Sequence, residues 1–196
     1  MRIRTLNLLI PAAAVGCLIG GVASVAGLPA ASAPPTLPQA TYGPILDDFG
    51  PVYFNGEVDF ATPTDRDYKA VFEVATAADE PDARSAAIES AARFLNMHAQ
   101  AGVAPERLGA AVVLHGGAAR YALSDEAYRS RYGTDNPNTA LLRALRGVGT
   151  RIVLCGQSAA SRGIAANELA DTVELALSAM TAVKVLQDEG YQIVAF

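Results

Sequence analysis

Apolar and polar positions along this chain change rhythm several times. From Leu6 to Ala26 apolar residues run almost unbroken, and the next stretch is rich in Pro and Ala. From Tyr68 onward, short apolar blocks alternate with amphipathic stretches. Tyr68-Lys69-Ala70-Val71-Phe72-Glu73-Val74-Ala75 predicts a strand. Pro81 then leads into a helix over 83–101, with Ile88, Ala91, Leu95 and Ala99 on one face and Gly102 as its stop. Ala110-Ala111-Val112-Val113-Leu114 is wholly apolar, as a strand buried on both faces requires. Asn138 caps a helix through Leu142, Leu145 and Val148, ended by Gly147 or Gly149, and Arg151-Ile152-Val153-Leu154-Cys155 is the third strand. A fourth short strand is predicted over 171–177. Ser178 caps a helix over 179–189 with Met180, Val183 and Leu186 as its apolar face, Gly190 ends it, and 191–196 closes as a strand. Strands alternating with helices predict an α/β domain whose mostly parallel sheet is covered on both faces. No internal repeat is visible.

The N-terminal run changes the picture of where this domain works. Met1-Arg2-Ile3-Arg4, the apolar run and Ala31-Ser32-Ala33 are the basic, apolar and small-residue parts of a secretory signal, with cleavage expected after Ala33. The rival readings are an uncleaved anchor, since about 20 apolar residues can span a bilayer, and lipidation at Cys17. Against the second, Leu18, Ile19 and Val22 continue the apolar run past Cys17. The expected organisation is a signal over 1–33, a Pro-rich linker and N-terminal extension over 34–67, and a domain over 68–196. The first part of the extension is expected to be extended and mobile. Asn55-Gly56, between apolar residues, is a hairpin signal within it. The expected location is the periplasm or cell envelope, with no stable membrane association after cleavage.

Removing 33 of the 196 residues leaves 163, enough to bury a real core. Arg2 and Arg4 leave with the signal and no acidic residue does, so the net charge moves from −5 to −7. That balance argues against nucleic acid or an anionic membrane as partner. Of the 2 cysteines, Cys17 also leaves with the signal. Cys155 is then single, and is buried and inert, paired between chains, or reactive.

Open α/β sheets bind ligands outside the carboxyl ends of their strands. Two chemically capable residues fall there. Cys155 follows Ile152-Val153-Leu154 and precedes Gly156-Gln157-Ser158, where helix N–H groups stabilise a thiolate. Arg162, about two turns on, either adds positive charge to that site or caps the helix end. His115 follows Val112-Val113-Leu114 and precedes Gly116-Gly117, whose backbone allows close approach and anion binding. His115 is a base, a ligand-orienting group, or a histidine satisfying loop carbonyls. His98 reads as structural. Two histidines and one mature cysteine do not form a metal-ligand cluster, and no nucleotide-binding loop or GxSxG is present, so no metal or cofactor is expected. The polar segment 123–138, with Asp125, Glu126, Arg129 and Arg131, is either a solvated helix or a cover over the cleft.

Over roughly 68–196 the chain resembles the DsrE/DsrF-like family. The resemblance rests on Ala111-Val112-Val113-Leu114-His115-Gly116, on Gly149-Thr150-Arg151-Ile152-Val153-Leu154-Cys155, and on Leu186-Gln187-Asp188-Glu189-Gly190-Tyr191. Cys155-Gly156-Gln157-Ser158-Ala159-Ala160-Ser161-Arg162-Gly163 is also similar to the cysteine segment of the family's sulfur-relay members. The resemblance implies a three-layer α/β/α sandwich around a five-stranded parallel sheet, commonly assembled into homo-oligomers. It also implies a persulfide-bearing role for Cys155, with a sulfur donor or an acceptor thiol as partner. The relay members work in the cytoplasm, so export separates this chain from their tRNA-thiolation partners. The alternative is a small-ligand binding or oligomeric module of the same fold in which Cys155 only packs.

Overall fold

The computed structural model describes residues 38–54 and 58–194. The signal segment, the Asn55-Gly56 turn and the last two residues lie outside the described residues.

Two short strands, β1 (Ala40–Thr41) and β2 (Val52–Tyr53), pair antiparallel ahead of the domain. The main elements follow as β3 (Tyr68–Val74), α1 (Ala86–Gln100), β4 (Leu108–Leu114), α2 (Asp125–Tyr132), α3 (Thr139–Gly147), β5 (Arg151–Cys155), α4 (Gly156–Ser161), β6 (Glu174–Ala176), α5 (Ala179–Asp188) and β7 (Gln192–Ile193). A 3-10 segment, Gly116–Ala122, joins β4 to α2. The order across the sheet is β6-β5-β4-β3-β7, and every pairing is parallel.

Period-2 alternation sorts the strand side chains into two cores. Ala70, Phe72, Val74, Ala110, Val112, Leu114, Ile152 and Leu154 face α1 and α3, which contribute Ile88, Ala91, Leu95, Leu141, Leu142 and Leu145. Each fully buried Leu or Ile there contributes about 1.5–3 kcal/mol relative to leaving it in water. Val71, Ala111, Val113, Val153 and Cys155 face the other way, against Ala179, Ala182 and Leu186 of α5. Cys155 therefore lies on the face that α5 covers.

Several expectations are revised. The 34–67 segment is not a free linker along its described length. Asn96, on α1, accepts at Oδ1 from the backbone N–H groups of Ile45 and Leu46, and its Nδ2 donates to the carbonyls of Leu46, Phe49 and Gly50. Leu46 joins the first core. Val52–Tyr53 finds its partner in β1, upstream, and 58–60 forms no strand. Met180 is 81 % exposed, because α5 buries Ala179, Ala182 and Leu186, a stripe offset from Met180. Asn138 occupies the N-cap position of α3, but its Oδ1 accepts from the Ser85 N–H at the start of α1. Helix α2 does not cover the face that carries Cys155: Tyr128, buried on it, belongs to the opposite core.

Candidate functional site

The chain turns sharply from β5 into α4, and Cys155 is both the last residue of the strand and the N-cap of the helix. Gly156 is required by this turn, since a Cβ there would lie 2.5 Å from the Ala176 carbonyl oxygen and 3.1 Å from that of Leu177. The thiol is 6 % exposed. Burial pushes its pKa up. Hydrogen bonds from the Ser158 hydroxyl and from the backbone N–H groups of Ser158, Ala179 and Gln157 outweigh that, and the thiol is held below its ordinary value.

Two helix starts therefore meet at the sulfur. One is α4, which supplies Gln157 and Ser158. The other is α5, whose start is set by Ser178: its Oγ accepts from the Thr181 N–H at 3.0 Å, leaving the Ala179 N–H to the thiol. Each N–H stabilises the anion more than the neutral thiol.

Ser158 joins the two strand-end segments. Its Oγ accepts from the Gly116 N–H at 3.0 Å, so its own proton is free for Cys155. Gly116 sits at φ +51, and a Cβ there would meet the Ala75 carbonyl oxygen at 2.7 Å, so this close approach needs glycine. Because the Gly116 N–H is engaged by Ser158, it is not free to cradle a ligand anion. Gly117 packs beside Ala75 and Ala77. The Gln157 side chain donates to the Leu177 carbonyl at 3.3 Å, tying α4 to the segment after β6.

His115 continues β4 in extended geometry (φ −150, ψ −174), and its N–H donates to the Val74 carbonyl at 3.0 Å. Its buried Nε2 lies 3.1 Å from Glu73 Oε1, with an alignment that is not that of a hydrogen bond. The sequence reading missed Glu73. The signal was present: an acid next to the end of an otherwise apolar strand.

Arg162 is exposed, and its guanidinium is engaged by Ser161 Oγ at 3.4 Å. His98 is structural, with Nδ1 donating to the Phe94 carbonyl at 2.8 Å and its ring between Tyr68 and Phe94. A cavity of about 540 Å³ opens at the opposite, N-terminal end of the strands, lined by Tyr68, Lys69, Phe94 and His98, away from Cys155. Among the described residues no group of three or more His, Cys, Asp or Glu side chains could hold a metal ion. Nor is any described helix long and apolar enough to cross a membrane.

Residues 69–196 match the family model described as DsrE/DsrF-like. Among solved structures, the chain is similar to a protein of unknown function, MTH1491, from Methanobacterium thermoautotrophicum, at 19% identity and a TM-score of 0.45. The match covers 65% of this chain and 98% of that one. No curated protein matches.

Proposed function

The chain belongs to the DsrE/DsrF-like family, and from that premise we propose that it is a sulfur carrier or thiol-redox protein of the cell envelope, with Cys155 as its persulfide-bearing thiolate. One observation carries this reading: a single thiol at the carboxyl edge of the sheet, lowered in pKa by Ser158 and by backbone N–H groups from the starts of two helices. Sulfur transfer to a thiolate needs an ionised nucleophile, and this environment supplies one at lower pH than an ordinary cysteine would. The sulfur donor and the acceptor thiol are its partners. The placement in the envelope rests on the N-terminal signal pattern.

The test is alkylation of Cys155 with iodoacetamide across pH, together with intact mass of protein isolated from the envelope. The expected result is reaction beginning below the pH at which a free thiol ionises, and a mass increment of one sulfur on part of the protein. A thiol that stays unreactive even in alkaline native buffer overturns the reading.

The burial of Cys155 favours a second reading, an assembly module in which the thiol only packs. Strand β6 is an outer strand of the sheet, and Leu175, Leu177, Met180 and Val185 beside it are exposed. An open strand edge flanked by apolar side chains suits contact with further copies of the chain.

A further inference from the structure

We propose that Glu73 and His115 form a proton relay for Cys155, with His115 as the group that takes and returns the proton and Glu73 as the residue that positions it. This rests on the reading of Cys155 as a sulfur carrier.

Strand register sets the three side chains on one face. Glu73 pairs with Val113, and Val113 with Val153. One step on, Val74, Leu114 and Leu154 lie side by side across β3, β4 and β5. His115 is the next residue of β4 and remains extended, and Cys155 is the next residue of β5. Side chains alternate along a strand, and adjacent strands lie about 4.8 Å apart. Glu73, His115 and Cys155 therefore stand on one face, on three neighbouring strands, at the edge where these sheets do chemistry. This is the face of Val113 and Val153, the side that α5 covers.

Their immediate surroundings agree with that placement. His115 Nε2 is buried, has no hydrogen-bond partner, and lies against Glu73 Oε1. Nδ1 has no partner among the described residues. A histidine with a carboxylate against one nitrogen, on the strand next to a thiol and on the same face of the sheet, has the parts of a nucleophile, a base and an orienting group. Other charged groups on the packed elements are engaged elsewhere. Lys69 lies over the Tyr191 ring, Arg151 pairs with Glu174 and Glu189, Lys184 with Asp188, and Arg120 donates to the carbonyls of Ala78 and Glu80.

The step balances without an external oxidant or reductant. Cys155 gives its proton to the His115 imidazole. The thiolate attacks the outer sulfur of a donor persulfide, R–S–SH. A bond forms from Sγ to that sulfur while the donor S–S bond breaks, its electron pair leaving on the R–S sulfur. The imidazolium returns the proton to that thiolate, releasing R–SH. Cys155 is left as a persulfide and His115 neutral, as it began.

The test follows iodoacetamide alkylation and sulfur loading from cysteine persulfide, both against pH and by intact mass. In His115→Gln, loading at neutral pH is expected to fall roughly tenfold or more, as loss of a general base requires, and to approach the parent at alkaline pH where the thiol ionises unaided. Glu73→Gln should fall by less with the same change of profile, and Glu73→Asp should recover most of it. Glu73 is half-exposed, so these variants probe the relay with the fold intact. Alkylation and loading profiles in both variants that superimpose on the parent overturn the relay. If the parent alkylates but takes no sulfur, the carrier reading falls, and the alkylation profiles alone decide the relay. If the parent thiol reacts at no pH, both fall.

Discussion

Ser158 is the residue on which the candidate site turns. Its oxygen receives the Gly116 N–H, and its proton goes to Cys155. In Ser158→Ala the thiol loses a donor and the Gly116 N–H loses its acceptor. The thiol pKa should rise toward its ordinary value, and alkylation at neutral pH should slow by about threefold or more, given that one pKa unit is tenfold in the ionised fraction below the pKa. The rate in strongly alkaline buffer should match the parent. The lowered thiol also carries a sign for stability. A group whose folded pKa lies below its unfolded value stabilises the fold above the unfolded pKa, and that contribution is lost as pH falls through the folded pKa. Parent protein should therefore gain stability over Cys155→Ala on the alkaline side of neutrality, read from urea melts at paired pH values.

Among elements, α1 does more than cover the sheet. Its buried Asn96 serves five backbone groups of the extension, two as acceptor and three as donor. Gly50 sits so close that a Cβ would lie 2.3 Å from the Ala92 carbonyl carbon. Asn96→Ala would leave buried polar groups unpaired, at about 1–3 kcal/mol each. The expected outcome is release of residues 38–52 rather than loss of the whole domain: faster amide exchange and proteolysis there, with the sheet still protected. The extension's Pro-rich start read as a linker because Pro and Ala carry no periodic signal. What docks its described part is a set of polar side chains on a distant helix, Asn96 with five backbone bonds, Gln100 donating to the Gly43 carbonyl and Arg93 to that of Pro51, and such residues in a helical pattern read only as polar positions.

At the scale of the whole molecule, the two faces of the sheet are unequal. One is packed by α1, α2 and α3, the other by α5, with Leu175, Leu177, Met180 and Val185 exposed beside the outer strand β6. Assembly of copies through this edge predicts that Leu177→Glu and Met180→Glu each lower the mass measured by light scattering while leaving the thermal melt of the domain in place. A parent protein already monomeric at the highest concentration tested would remove the assembly reading. The family's fold was legible from residue 68 onward because its strands are long apolar blocks and its helices carry clear stripes. Met180 was placed wrongly for a physical reason. Two stripes one residue apart, Met180-Val183 and Ala179-Ala182, both lead to Leu186, and only packing against β4 and β5 selects between them.

The sequence by itself determined the order of elements, the parallel sheet, and the position of Cys155 at a strand end, because these follow from periodicities within 5–15 neighbouring residues. The tertiary structure decided what surrounds the thiol and what holds the extension. Gly116 and Ser158 are 42 positions apart, Asn96 and Leu46 50. His115 meets Glu73 only because β3 and β4 lie side by side in one register. Contacts across such separations leave no local pattern. They exist once strand pairing and helix packing bring the partners together, and that is where the candidate chemistry of this protein resides.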